Sequence, residues 1–103
     1  MKYILYTDYA SGQSKQYNYQ LLKAKNLLDA IAEADEIRNN DPREIYLTRI
    51  MERERFYKDE DGYKHEIFKA VLCERTHGWH LNNQENCENV HRTDFCNEEY
   101  KAL

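Results

Sequence analysis

Two long alternating segments on either side of a short turn constrain this chain more than anything else in it. From Arg43 to Tyr57 and from Tyr63 to Arg75, β-branched and aromatic residues alternate with polar ones, the period of a half-buried strand. Between them Lys58-Asp59-Glu60-Asp61-Gly62 supplies turn chemistry, because Asp and Gly tolerate the positive φ that a tight hairpin needs. With Asp61 and Gly62 as the two turn residues, Phe56 faces Ile67, Glu54 faces Lys69, Ile50 faces Cys73 and Arg49 faces Glu74. Apolar residues then meet apolar ones and opposite charges meet, which is what stabilises a ladder. A register one residue shorter, with Gly62 in a bulge, puts Arg53 opposite Lys69, so the first register is preferred.

Ahead of the hairpin, Lys2 to Tyr9 reads as a first strand and Ala10 to Ser14 as a loop. Between Gln20 and Arg38 the residues Ala24, Leu27, Leu28, Ile31, Ala34 and Ile37 recur at three- and four-residue steps, an apolar stripe along a helix. Asn26 is its N-cap, Asp29 sits in its first turn, and Asn39-Asn40-Asp41-Pro42 ends it. After Arg75 the periodicity disappears. Thr76 to Thr93 is polar and Asn-rich, and Asp94 to Leu103 predicts a short closing helix. The fold expected is α+β: a small three-stranded, mainly antiparallel sheet with one packed helix and an irregular, zinc-stabilised C-terminal segment.

The metal enters this expectation through the cysteines. All three, and three of the four histidines, fall between Cys73 and Cys96. Cys73-Glu74-Arg75-Thr76-His77 and Cys87-Glu88-Asn89-Val90-His91 share one Cys-Glu-x-x-His spacing, and a four-residue step leaves both ligands on one face of a strand or a helix. Two such pairs make a tetrahedral Cys₂His₂ shell of the kind Zn²⁺ prefers, with Cys96 and His80 as further candidates. A structural Zn²⁺ contributes around 10 kcal/mol in small domains, enough to order a segment too polar to hold itself. Glu74 and Glu88 point away from such a site, and the chain carries no zinc-hydrolase motif, phosphate loop or nucleophile elbow, so no catalytic residue is expected and the chain reads as a non-enzyme.

With 103 residues, one Pro and three Gly, the chain reads as one domain without an internal linker. Its net charge of −4 is uneven. Up to Lys58 there are ten Lys and Arg against nine Asp and Glu, and beyond it five against ten. That balance favours a basic protein partner for the acidic residues between Asp59 and Glu99 over general attraction to nucleic acid. An odd number of cysteines, an acid at position 8 and no apolar run of membrane length predict a cytoplasmic protein with no membrane association.

In size, acidity and Tyr- and Asn-richness the chain resembles small phage and mobile-element proteins, including anti-CRISPR proteins. The resemblance implies a non-enzymatic inhibitor in the host-cell cytosol that blocks nucleic-acid binding by an effector such as Cas9. The alternative rests on arginines. In an extended strand Arg43, Arg49, Arg53 and Arg55 share one face, with Glu52 and Glu54 on the other, which predicts a small nucleic-acid-binding regulator built on an arginine-faced β-hairpin. Trp79, the only tryptophan, is expected to pack over the end of the sheet.

Overall fold

The computed structural model describes residues 1–9, 16–74, 78–81 and 92–96. In chain order they form β1 (Tyr3–Tyr9), β2 (Gln16–Leu21), α1 (Leu27–Asn40), β3 (Ile45–Lys58), β4 (Lys64–Glu74), β5 (Trp79–Leu81) and β6 (Arg92–Cys96). All strand pairings are antiparallel. The order is β2-β1-β3-β4, with β5 and β6 in tandem along the outer edge of β4.

The expected three-stranded sheet is thus corrected to six strands. The three additional strands are short and polar at the sequence level. Gln16–Leu21 is bounded by turn chemistry, while Trp79–Leu81 and Arg92–Cys96 fall where no hydrophobic period exists. Each needs only backbone pairing with the edge of an existing strand, so its side chains need not spell out a strand. Asp94–Cys96, expected to begin a closing helix, belong to β6; positions 97–103 lie outside the described residues. Of the segment expected to be irregular, 79–81 and 92–93 are strand.

The helix forms as its sequence predicts. Asn26 accepts from the Asp29 amide at 2.9 Å and donates back to the Asp29 carboxylate at 2.9 Å, and the Asp41 amide closes on the Arg38 carbonyl. Ala30 and Ala34 are buried, one turn apart, so α1 lies close to the sheet. Leu28, counted in the expected stripe, is instead 79% exposed. The Glu33 carboxylate accepts from the amides of Lys23 and Ala24, which ties the β2–α1 connection to the helix.

The hairpin register is also corrected. Phe56 faces Glu66, Tyr57 faces His65 and Lys58 faces Lys64, one residue shorter than expected. The cause is Asp59. Its side chain accepts from the amides of Asp61 and Tyr63, its own amide donates to the Tyr63 carbonyl, and its carbonyl accepts from the Gly62 amide. The turn is therefore Glu60-Asp61-Gly62, with Gly62 at φ 85°. Three residues, Tyr46, Glu54 and Val71, have no partner in the ladders around β3 and make bulges.

Those bulges curl the sheet. Along β2-β1-β3-β4-β6 the outer strands are four spacings apart, about 19 Å if the sheet were flat. Yet the hydroxyls of Tyr19 on β2 and Thr93 on β6 lie 3.4 Å apart. The face toward which the sheet curls, called inner here, encloses a core of Ile4, Met51, Phe68 and Ala70, flanked by Tyr6 and Tyr19. The outer face carries α1 over Tyr3, Leu5, Leu22, Ile50 and Leu72, with Trp79 packed against it. Each fully buried large side chain among these contributes about 1.5–3 kcal/mol.

Two polar contacts fasten α1. Arg38 forms an ion pair with the buried Glu74 of β4 and lies 5.8 Å from the centre of the Trp79 ring, whose Nε1 donates to Asp35 at 2.8 Å. At the helix end, Arg43 stacks 3.9 Å over the Tyr9 ring and bonds Asp41. The hydrogen bond from Arg43 lowers the Asp41 pKa to about 2.

Candidate nucleic-acid interface

Alternation and register place Lys2, Tyr6, Asp8, Tyr17, Tyr19, Arg49, Arg53, Phe56, Lys58, Lys64 and Glu66 on the inner face. Among the described residues five cations (Lys2, Arg49, Arg53, Lys58, Lys64) stand there against two carboxylates (Asp8, Glu66), a net +3 on a chain whose total is −4. The helix on the opposite side carries four acids (Asp29, Glu33, Asp35, Glu36) and one base (Arg38), a net −3. The described residues of the inner face and of the helix therefore carry opposite net charge.

The positive end is concentrated where the β3–β4 hairpin runs past the start of β1, whose last pairing with β3 is Tyr3 with Glu52. Glu66 is buried, its side chain 6% exposed, and three cations approach it: Lys2 at 3.0 Å, Arg53 at 3.2 Å and Lys64 at 3.9 Å. Phe56, directly opposite Glu66, is 58% exposed, with Arg53 and Lys64 lying 5.1 and 4.7 Å from its ring centre. Two pairs further toward the turn, and so on the same face, Lys58 faces Lys64, a like-charge pairing that works against the ladder.

Toward the other end of the inner face the tyrosines of β1 and β2 form a cluster. Tyr6 and Tyr19 are 5.0 Å apart between ring centres, Tyr17 and Tyr19 5.7 Å, and Tyr6 and Tyr17 6.1 Å. Arg49 lies 5.2 Å from the Tyr6 ring centre. Burial and the charge of Asp8 push the Tyr6 pKa up, so its hydroxyl stays neutral. Beside the Tyr19–Thr93 contact lies a cavity of about 200 Å³ lined by Tyr6, Tyr19, Arg49, Met51, Arg92 and Thr93. Of its polar lining, Arg92 is ion-paired with Glu54 at 3.0 Å and the Tyr19 and Thr93 hydroxyls contact each other.

The expected four-arginine face is only half realised. Arg49 and Arg53 share the inner face, but the Glu54 bulge turns Arg55 to the outer face, 5.6 Å from the Tyr57 ring centre. Arg43 precedes β3 and is taken up by Tyr9 and Asp41. Sequence reasoning missed Phe56, Lys58 and Lys64 because the register it preferred gave them other partners. It missed the tyrosine cluster because Gln16–Leu21 was not read as a strand. The Tyr17-Asn18-Tyr19 alternation was the available signal.

Of the expected metal ligands, Cys73 is buried on β4, and its cross-strand partner on β5 is His80. Cys96 pairs with His65, eight positions along β4 from Cys73 and so about 26 Å away. One ion does not take ligands from both. His77, Cys87 and His91 lie outside the described residues, and among the described ones no three candidate ligands cluster.

A second polar cluster sits on the outer side of the hairpin. The His65 ring stacks on Tyr57, 4.9 Å apart and 6° from parallel, with Nε2 2.7 Å from Asp59 and Nδ1 3.0 Å from Asp94. Only the doubly protonated ring donates to both carboxylates, and the bonds to Asp59 and then Asp94 raise its pKa. Tyr57 donates to Asp94 at 3.0 Å. The cluster clasps β6 and the turn to the hairpin.

No family model, curated protein or solved structure matches this chain. Its function is read from its own residues. No helix among the described residues is long and apolar enough to cross a membrane.

Proposed function

We propose that this is a non-enzymatic binding protein whose inner sheet face takes up nucleic acid. The observation that carries the reading is the hairpin base. There Lys2, Arg53 and Lys64 converge on the buried carboxylate of Glu66, beside the exposed Phe56 ring and the opposed Lys58–Lys64 pair. Excess positive charge on a rigid ladder suits a phosphate backbone, and aromatic rings on the same face suit bases. Acidic total charge is no obstacle, because the acids of α1 lie across the sheet.

The inhibitory, protein-binding reading draws on acids between 59 and 99, of which Glu60 and Asp61 are exposed in the turn and positions 85, 88, 98 and 99 lie outside the described residues. Glu66, Glu74, Asp59 and Asp94 are all engaged within the fold, by Lys2 and Arg53, by Arg38, and by His65. A structural Zn²⁺ held by Cys73, His77, Cys87 and His91 remains part of the proposal, as a brace for the chain beyond β4.

Fluorescence anisotropy with a labelled oligonucleotide of about ten nucleotides tests the reading. Binding is expected at about 50 mM salt and weakens at least tenfold when Arg53 and Lys64 are both replaced by Gln. Equal affinity in that variant would overturn it.

A further inference from the structure

We infer that the inner face takes its nucleic acid as a single strand, with a base laid on the Phe56 ring and the flanking phosphates held by Arg53 and Lys64. This rests on the binding reading above and deepens it.

Phe56 is an apolar ring held in the open by its own ladder. Its cross-strand partner Glu66 is buried and Phe68, also on the inner face, is fully buried, so burial is available on this face and Phe56 is placed beyond it. The ring is bracketed by Arg53 and Lys64, within 5.1 Å of its centre, and both cations also lie within ion-pair distance of Glu66. Glu66 meets their charged ends, and Lys64 is the looser of the two at 3.9 Å against 3.2 Å for Arg53. An incoming base displaces the Lys64 ammonium from the ring, and that ammonium then meets the adjoining phosphate. One aromatic surface with a cation on each flank matches the repeat of a single strand, base and phosphate in alternation.

A duplex offers no such fit. Its bases are stacked on one another, and a side chain standing on a β-ribbon reaches their faces only by unstacking them. An acidic polypeptide satisfies the cations but leaves the ring without a planar partner. The geometry therefore selects unpaired bases over both.

The experiment compares three probes under identical low-salt conditions: a single-stranded oligonucleotide, the same sequence as a duplex, and polyglutamate. The proteins are the unsubstituted chain, Phe56→Ala and Phe56→Trp, each checked for an unchanged melting temperature, which the exposure of Phe56 leads us to expect. Single-strand binding should exceed duplex binding, fall about tenfold or more in Phe56→Ala, and recover in Phe56→Trp. Duplex binding should be the same in all three proteins. Equal affinity for single strand and duplex, with Phe56→Ala neutral for both, would overturn the inference while leaving electrostatic nucleic-acid binding in place. Polyglutamate bound as tightly as the oligonucleotide would overturn it in favour of an acidic polypeptide. Failure of the unsubstituted protein to bind any nucleic acid would remove the underlying reading itself.

Discussion

Lys58 and Lys64 stand directly opposite each other on the β3–β4 hairpin, on the face that carries Phe56. Two ammonium groups in cross-strand register cost a few tenths to about 1 kcal/mol relative to a neutral pair. Lys58→Glu relieves that repulsion and removes a cation from the inner face. The expected outcome is opposite in sign for the two properties. The melting temperature rises or holds, while oligonucleotide affinity falls severalfold. Thermal melting and anisotropy on the same preparation check it, and a parallel loss of both would show that Lys58 serves the fold alone.

The helix is held by an ion pair with one buried member. Glu74 keeps 8% of its side chain exposed and Arg38 24%. Removing Arg38 leaves a buried carboxylate without its cation, so Arg38→Met should destabilise the fold by about 3 kcal/mol in chemical denaturation. Replacing both, as Arg38→Met with Glu74→Leu, should recover most of that loss. A double variant no better than the single one would place the damage elsewhere.

His65 makes the hairpin pH-sensitive. Its folded pKa is raised, first by the bond to Asp59 and then by that to Asp94. A raised histidine stabilises the folded state fully below its unfolded pKa, about 6.5, and the contribution is lost as pH rises through the folded value. The melting temperature should therefore decline above pH 7 in the unsubstituted chain. In His65→Gln that decline should be smaller. A proton-NMR titration of the His65 ring reads the same effect directly, with a midpoint above 6.5 that moves down in Asp94→Asn.

The proposed zinc gives a prediction that separates the cysteines. Cys96 on β6 pairs with the turn end of β4 and Cys73 lies at the other end of β4, so the two answer differently. Protein purified without added metal should carry one equivalent of zinc by elemental analysis. Cys87→Ser should lose it and Cys96→Ser should keep it. Metal-free protein that melts as cooperatively as the metal-loaded form would remove the site.

Much of this fold was legible wherever a segment had to bury its own side chains. The α1 stripe, Leu28 excepted, and the alternation of β3 and β4 follow from residues that meet the core, and the Asn26 cap follows from local hydrogen bonds to Asp29. What was not legible depended on a partner. β5 and β6 are edge segments defined by backbone bonds to β4, and β2 by bonds to β1. The hairpin register turned on one side chain, since Asp59 capping two amides moves the turn by a residue and exchanges every cross-strand pair. That shift hid the candidate site: in the preferred register Phe56 met Ile67 and looked like core. The arginine face was half legible because a single bulge at Glu54 reverses the side on which Arg55 emerges.

The salt dependence of oligonucleotide binding tests the central claim most directly. For single strands the logarithm of affinity falls with the logarithm of salt at about 0.7 per phosphate neutralised. Three to five contacts from Lys2, Arg49, Arg53, Lys58 and Lys64 predict a slope between about −2 and about −3.5 over about 50 to 200 mM salt. The slope should become shallower by about 0.7 for Lys64→Gln. Affinity that stays level across that range, or that keeps its slope when Lys64 is neutralised, would contradict the account.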